Sequence, residues 1–82
     1  MFTMKNTKRR NNRDVEADIL RVAQGGAKKT RIVYQANLNF KIVKGYLASL
    51  LERGLIELDD RMYFSTERAR DYLVAYEALS AL

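Results

Sequence analysis

Positively charged side chains gather in two short segments of the chain, where they could bind the phosphates of a nucleic acid. The first segment is Lys28-Lys29-Thr30-Arg31, and the second holds Lys41 and Lys44. Three cations beside the free N–H groups of a helix N-terminus would favour a bound phosphate. On a helix, the i, i+3 spacing of Lys41 and Lys44 places both on one face. These six residues are therefore candidates for DNA contact.

Asn39 lies just before the two lysines and could contact a base. Asn can pair with adenine and Lys41 can reach the acceptors of guanine, and each good pair contributes ~1–3 kcal/mol of discrimination. Asn39 also suits a helix N-cap, a structural role that competes with base contact. Gln35 could face the DNA backbone, and Tyr34 could lie there or in the core. Further DNA-binding candidates are Arg61, Arg9 and Arg10.

The composition excludes most catalytic chemistry. The 82 residues include no His and no Cys, so the usual general base and the commonest metal ligands are missing. The segment Gly25–Thr30 lacks the spacing of a phosphate-binding loop. No apolar run approaches the length of a membrane span. We expect no enzyme activity, cofactor, metal or small-molecule ligand, no membrane contact and a cytoplasmic protein.

Charge is distributed unevenly along the chain. The net charge is +5, and residues 1–13 carry +5 by themselves. Residues 14–20 carry −3, residues 21–53 carry +6, and residues 54–82 carry −3. A positive segment between two negative ones predicts a charged face that attracts polyanions.

The helical elements can be placed from apolar spacing and capping residues. Residues 1–12 are polar and basic, typical of a flexible arm, and the first helix begins at Asn12 or Arg13. Gly25-Gly26 ends this helix, and Thr30 is the expected N-cap of a short second helix up to Ala36. Asn37 suits a tight turn. The third helix, residues 39–53, buries a stripe formed by Val43, Tyr46, Leu47, Leu50 and Leu51.

A hairpin and a last helix complete the chain. Leu55–Leu58 and Met62–Phe64 flank the polar turn Asp59-Asp60-Arg61, which predicts two short strands. Ser65-Thr66 caps a helix over 67–81. Its inner stripe is Ala69, Tyr72, Leu73, Tyr76 and Leu79. Val74, Ala75, Ala78 and Leu82 lie off this stripe, and a second apolar side predicts a homodimer through this helix.

The order helix, helix, turn, helix, hairpin, helix predicts a winged helix-turn-helix, a mainly α fold with a small β-hairpin (α-α-α-β-β-α). We expect an arm over 1–12 and one domain over 13–82. The expected function is sequence-dependent or architectural binding of double-stranded DNA, with helix 39–53 in the major groove and the arm in the minor groove. The acidic turn favours an alternative, a protein–protein adaptor in a larger complex. RNA binding ranks lower because stacking aromatic platforms are missing.

The chain also resembles the small archaeal winged-helix DNA-binding regulators that dimerise through a C-terminal antiparallel coiled coil. The likeness covers roughly residues 13 to 80. It rests on Asp18–Leu20, Gly25–Tyr34, Ala36–Asn39, Tyr46–Leu50, Arg53–Ile56 and Tyr63–Ala69. It implies DNA binding, a role in transcription regulation or chromosome organisation, and a homodimer. Ala69 replaces the Gly usual in the family, and a last helix that stops at Leu82 implies a compact dimer.

Overall fold

The computed structural model describes residues 10–81. Four α-helices and a three-stranded antiparallel sheet follow one another within this part of the chain. The helices are α1 (Asn12–Val22), α2 (Lys29–Gln35), α3 (Phe40–Glu52) and α4 (Glu67–Ser80). The strands are β1 (Ala27–Lys28), β2 (Ile56–Asp59) and β3 (Met62–Ser65). The mainly helical winged helix-turn-helix predicted from the sequence is confirmed, with β1 as an additional strand.

Helix α1 begins where the sequence places it, through a reciprocal cap. The Asn11 side chain accepts a hydrogen bond from the Asp14 N–H at 2.8 Å, and the Asp14 carboxylate accepts one from the Asn11 N–H at 3.0 Å. This capping box satisfies two of the donors that a helix start leaves free. The inner side of α1 buries Val15, Ile19 and Leu20 in the core.

Gly26 ends this region and connects it to the sheet. A 3₁₀ turn (Ala23–Gly25) follows α1, and Gly26 has a φ of +92°. A Cβ at this position would lie 2.5 Å from Cε1 of Phe64, so only glycine fits. The next residues form β1, which pairs with β3 through Ala27 opposite Tyr63 and Lys28 opposite Met62. The sequence analysis missed this strand because two residues carry no periodicity.

The second and third helices form the helix-turn-helix. Helix α2 has Lys28 as its N-cap, with no side-chain cap bond, so the prediction of Thr30 as the cap was wrong and Thr30 lies in the first turn. Extended backbone at Lys28, set by its pairing with β3, starts the helix earlier than the capping pattern indicates. Asn37 adopts the positive φ expected of the turn, 57°. The Asn39 side chain caps α3 by accepting a hydrogen bond from the Ile42 N–H at 2.7 Å.

The wing is a two-residue hairpin. Strands β2 and β3 pair with Asp59 opposite Met62, so Asp59 ends β2 and does not belong to the turn as predicted. Asp60 and Arg61 form the tip, with φ values of 49° and 69°. Positive φ at both central residues is the pattern of a type I′ turn, whose twist matches that of the strands.

Helix α4 packs less of its length than the sequence predicts. Ala69 and Leu73 are buried, but Leu79 is 61% exposed, so its place in the inner stripe was wrong. Thr66 is the N-cap and the helix begins at Glu67, as predicted, but the Thr66 hydroxyl makes no cap bond and donates to the Gly54 carbonyl at 2.7 Å. The Ser65 hydroxyl donates to the Leu20 carbonyl.

Side chains from all four helices share one apolar core. Its largest fully buried members are Ile19, Leu20, Ile32, Leu50, Ile56 and Val43. Each predicted helix therefore contributes to holding α3 in place. Among the described residues, no helix is long and apolar enough to cross a membrane.

Candidate nucleic-acid interface

The outer face of α3 is the centre of the candidate interface. Val43, Leu47 and Leu50 face the core, which leaves the opposite face in solvent. The exposed face carries Lys41, Lys44, Gly45 and Ala48. These positions follow the i, i+3, i+4, i+7 spacing, so they form one continuous stripe along the helix. The small side chains that follow the two lysines on this stripe would let a groove wall approach the helix backbone closely.

The first basic segment lies where β1 meets α2. Lys28, Lys29, Thr30 and Arg31 are all exposed. Lys28 pairs with Met62 in the sheet, so the segment is next to the wing. An open groove of about 420 Å³ is lined by Gly26, Ala27, Lys28, Thr30, Arg31 and Met62. The tertiary structure thus brings this segment and the wing to one surface.

The ion pairs of the domain leave both basic segments free. Within residues 10–81, side-chain ion pairs join Arg10 and Arg21 to Asp18, Arg21 to Glu77, and Arg53 to Glu16. No lysine of the two basic segments takes part in these pairs, and neither does Arg31 or Arg61. Cations without an internal counter-ion keep their full charge available for an external polyanion.

Asn39 has a structural role in this arrangement. Its side-chain oxygen is the N-cap acceptor of α3, while the residue as a whole is exposed. Bidentate pairing with adenine uses the amide oxygen and nitrogen together. A base contact through the Asn39 nitrogen alone would leave the cap intact.

The tip of the wing combines one cation with two acids. Arg61 is exposed, and so are Asp59 and Asp60 beside it. The carboxylates repel phosphate, so Arg61 is the one side chain at this tip suited to contact DNA. Met62 pairs with Lys28 in the sheet, and Arg61 is the residue before Met62. Arg61 is therefore close to the first basic segment.

Arg10, unlike the other described cations among the candidates, is bound by groups of the domain itself. Its guanidinium donates to Asp18 and to the carbonyls of Ala36 and Asn37. Arg9 lies outside the described residues.

Exposed apolar side chains lie next to the basic residues in the sequence, and of these the sequence analysis named Tyr34 but neither Phe40 nor Ile42. The sequence left open whether Tyr34 faces the DNA backbone or lies in the core. Tyr34 is 76% exposed, so it is not a core residue. Phe40 and Ile42, on either side of Lys41, are about half exposed. Phe40 and Ile42 lie outside the apolar stripe that the sequence predicts as buried, and this position could have indicated that both are exposed. Ile42 and Gly45 also line an open groove of about 280 Å³ together with Asn12, Glu16, Tyr46 and Ser49.

Polar contacts to α1 hold α3 in addition to the core, and α4 contacts the same Glu16 of α1. Arg53, the C-cap of α3, pairs with Glu16, and the Tyr72 hydroxyl donates to the other oxygen of Glu16 at 2.7 Å. The Tyr46 hydroxyl donates to the Asn12 side chain at 2.7 Å. Burial, followed by the hydrogen bond to the Glu16 carboxylate, raises the pKa of Tyr72 to about 12. The α3 face is thus presented on a fixed support.

No candidate metal site is present in the part of the chain that the structure describes, where no three carboxylate, His or Cys side chains gather. Outside the acidic wing, the candidate interface offers cations, amides and exposed apolar side chains. These groups bind phosphates and base edges.

Comparisons with known proteins agree with this geometry. A family model described as winged helix-turn-helix matches residues 9–82. Among solved structures, the chain is similar to Sso10a-2, a DNA-binding protein from Sulfolobus solfataricus, with 25% identity and a TM-score of 0.78. The match covers 88% of this chain and 80% of that one. No curated protein matches the sequence.

Proposed function

This chain belongs to the winged helix-turn-helix family, and from that premise we propose that it binds double-stranded DNA. The observation that carries the proposal is the exposed face of α3, which holds two lysines free of internal ion pairs, followed on the same stripe by the small residues Gly45 and Ala48. The similar Sulfolobus protein is itself described as DNA-binding, which supports the same ligand here.

In the proposed complex, α3 lies in the major groove. Helices of this type contact base edges with their N-terminal residues, which here are Phe40 and Lys41 after the cap Asn39. Lys28, Lys29, Thr30 and Arg31 would contact the flanking phosphates, and Arg61 would reach the backbone from the wing. Phosphate contacts of this kind position a protein without reading sequence. The role proposed for the complex is regulation of transcription or organisation of the chromosome.

A homodimer through α4 is part of the proposal. Val74 and Leu79 of this helix are 63% and 61% exposed, and Ala75 and Ala78, which lie between them in the sequence, are exposed as well. A second copy would cover these apolar side chains and place two α3 helices on successive major-groove segments, about one helical turn of DNA apart.

Salt-dependent binding to a duplex tests the proposed function. If Lys28, Lys29, Arg31, Lys41 and Lys44 each neutralise a phosphate, the log–log slope of affinity against salt is about −4 to −5 per protomer. Fluorescence anisotropy of a labelled duplex, measured at several salt concentrations, gives this slope. A flat salt response, or no duplex binding at low salt, would contradict the proposal and favour the protein–protein adaptor.

Substitutions on α3 locate the interface. Lys41→Ala and Lys44→Ala should each lower duplex affinity several-fold and reduce the magnitude of the salt slope by about 0.9. Arg68→Ala removes an exposed cation of α4 and serves as the matched control, with both quantities expected to stay near those of the native chain. Equal effects of all three variants would show non-specific attraction instead of a defined face. Selection of bound duplexes from a random pool would then show whether bases are chosen.

A further inference from the structure

We propose that Ile42 is a specificity-determining residue that contacts the 5-methyl group of thymine in the major groove. This inference rests on the proposed DNA binding and adds a base preference to it. Its basis is a large apolar side chain that the fold leaves in solvent at the start of α3, next to lysines without internal ion pairs.

The fold makes little use of the Ile42 side chain. This side chain is 47% exposed, and it is not among the described side chains that pack on the core. The Ile42 N–H donates to the cap Asn39 at 2.7 Å, a bond that any residue except proline could make. Isoleucine is also a weaker helix former than lysine or glutamine. An isoleucine here stabilises the molecule only when something outside the domain covers it.

Open space lies beside Ile42 on the same side of α3. Gly45 is one helical turn further on, and both residues line an open groove of about 280 Å³. A Cβ at Gly45 would meet no atom within 4 Å. The polar side chains of Asn12, Glu16 and Tyr46, which line the same groove, are hydrogen-bonded within the domain. A ligand that approaches Gly45 would therefore meet Ile42 as an apolar contact.

The charges around Ile42 select the kind of ligand. Lys41 precedes it and Lys44 follows two residues later, and neither lysine takes part in an ion pair among residues 10–81. The acid of the groove, Glu16, is paired with Arg53. Because unpaired cations attract a polyanion, the partner that covers Ile42 should be DNA and not an apolar protein surface.

Thymine is the base that suits an apolar side chain at this position. Its 5-methyl group is the apolar group that base edges present in the major groove, where the other groups are hydrogen-bond donors and acceptors. Ile42 is the third residue of α3, in the turn that comes nearest to the bases when such a helix docks. An A·T pair also presents acceptors that Lys41 could reach. A preference for thymine opposite the start of α3 follows.

The test removes the methyl group from the DNA and the isoleucine from the protein. One duplex has about 20 A·T pairs in mixed order, two helical turns, and the other has every thymine replaced by uracil, which lacks only the 5-methyl group. The proteins are the native chain, Ile42→Ala and the control Leu58→Ala, which truncates a 51% exposed apolar side chain of β2. Anisotropy gives each affinity, and urea unfolding verifies that each variant folds.

We expect the native chain to bind the thymine duplex about fourfold more tightly for each methyl group that it covers. For Ile42→Ala, the two affinities should differ by less than about 1.5-fold, because no side chain remains to cover the methyl group. Leu58→Ala should keep the native preference. Both proteins meet the same change in the DNA, so any effect of the methyl group on DNA shape cancels when their preferences are compared.

Three results would overturn the thymine contact. The first is equal affinity of the native chain for the two duplexes. The second is the same thymine preference in Ile42→Ala as in the native chain. The third is binding of the native chain to a G·C duplex but not to the A·T duplex, which would leave the proposed function standing. Failure of the native chain to bind any duplex at low salt would instead contradict the proposed function itself.

Discussion

At the scale of single residues, the fold does not require a glycine at position 45, but close approach of the proposed DNA ligand would explain one. A Cβ at this position would meet no atom within 4 Å, and the backbone does not have the positive φ that favours glycine. Glycine inside a helix is about 0.5–1 kcal/mol less favourable than alanine. The missing side chain is useful to α3 only if something outside the domain approaches it closely.

Gly45→Ala should therefore stabilise the domain and weaken its binding to DNA. We expect the free energy of unfolding to rise by about 0.5–1 kcal/mol, because alanine is the better helix former. Duplex affinity should fall, since a methyl group would hold the helix away from the groove wall. Urea unfolding and anisotropy measure the two effects. Gly25→Ala, equally open but in the 3₁₀ turn, should leave affinity unchanged. Unaltered binding by Gly45→Ala would contradict the close approach.

Tyr72 makes stability sensitive to alkaline pH. Its pKa is raised to about 12 in the folded protein, from an ordinary value of about 10. Because the folded pKa exceeds the unfolded one, the stabilising contribution is complete below pH 10 and is lost as pH rises toward 12. Tyr72→Phe should unfold with a shallower decline over this interval. Thermal unfolding at several pH values measures the slopes, and identical slopes would argue against the role of Tyr72.

At the scale of elements, the wing carries local strain at its tip. Asp60 and Arg61 both have positive φ, a conformation that Asp tolerates better than Arg. The turn is nevertheless determined by its flanking strands, whose pairing places Asp59 opposite Met62. An arginine retained in a conformation that favours glycine is consistent with a functional use of its charge.

Arg61→Gly should separate the stability of the wing from its function. Relief of the left-handed conformation should raise the free energy of unfolding by about 0.5–1 kcal/mol. If Arg61 contacts DNA, affinity should decrease and the salt slope should shrink by about 0.9. Glu57→Gly, in the extended part of β2, should destabilise the protein and serves as the control for glycine in this hairpin. A stabilised Arg61→Gly protein with native affinity would exclude the wing tip from the interface.

Several elements were predictable because their signals are local. The cap at Asn39, the turn at Asn37 and the end of α3 at Gly54, with a φ of 75°, all follow from side-chain chemistry within a few residues. Strand β1 and the early start of α2 were not predictable in this way. Both depend on β3, which follows more than 30 residues later in the sequence.

At the scale of the whole molecule, the described cations form two groups, those in internal ion pairs and those without one, and the two groups alternate along the sequence. Arg10, Arg21 and Arg53 are neutralised by carboxylates of α1 and α4, while the basic segments of α2 and α3 are not. The exposed apolar side chains of α4 belong to a different helix from the lysine face of α3. The molecule thus carries one proposed surface for DNA and another for a second copy of itself.

Val74→Glu combined with Leu79→Glu should abolish the proposed dimer. In the dimer, the two introduced carboxylates would be buried against the second copy without a partner, which is unfavourable. The fold of the monomer should stay intact, because neither side chain is in the core. Sedimentation should change from a dimer to a 9.5 kDa species. Lys44→Glu, on the other surface, should remain dimeric and lose DNA affinity. A native chain that sediments as a monomer at high concentration would refute the dimer.

The sequence by itself determined the helices, the helix-turn-helix and the wing, together with the absence of His and Cys. Periodicity, caps and turn residues act over a few positions, so they can be recognised in a single amino-acid sequence. Only the tertiary structure decided that Arg10 is bound at the α2–α3 turn, that Leu79 stays in solvent and that two residues form a third strand. Each of these depends on which distant groups meet after packing, and contacts between distant residues leave no periodic trace in the sequence.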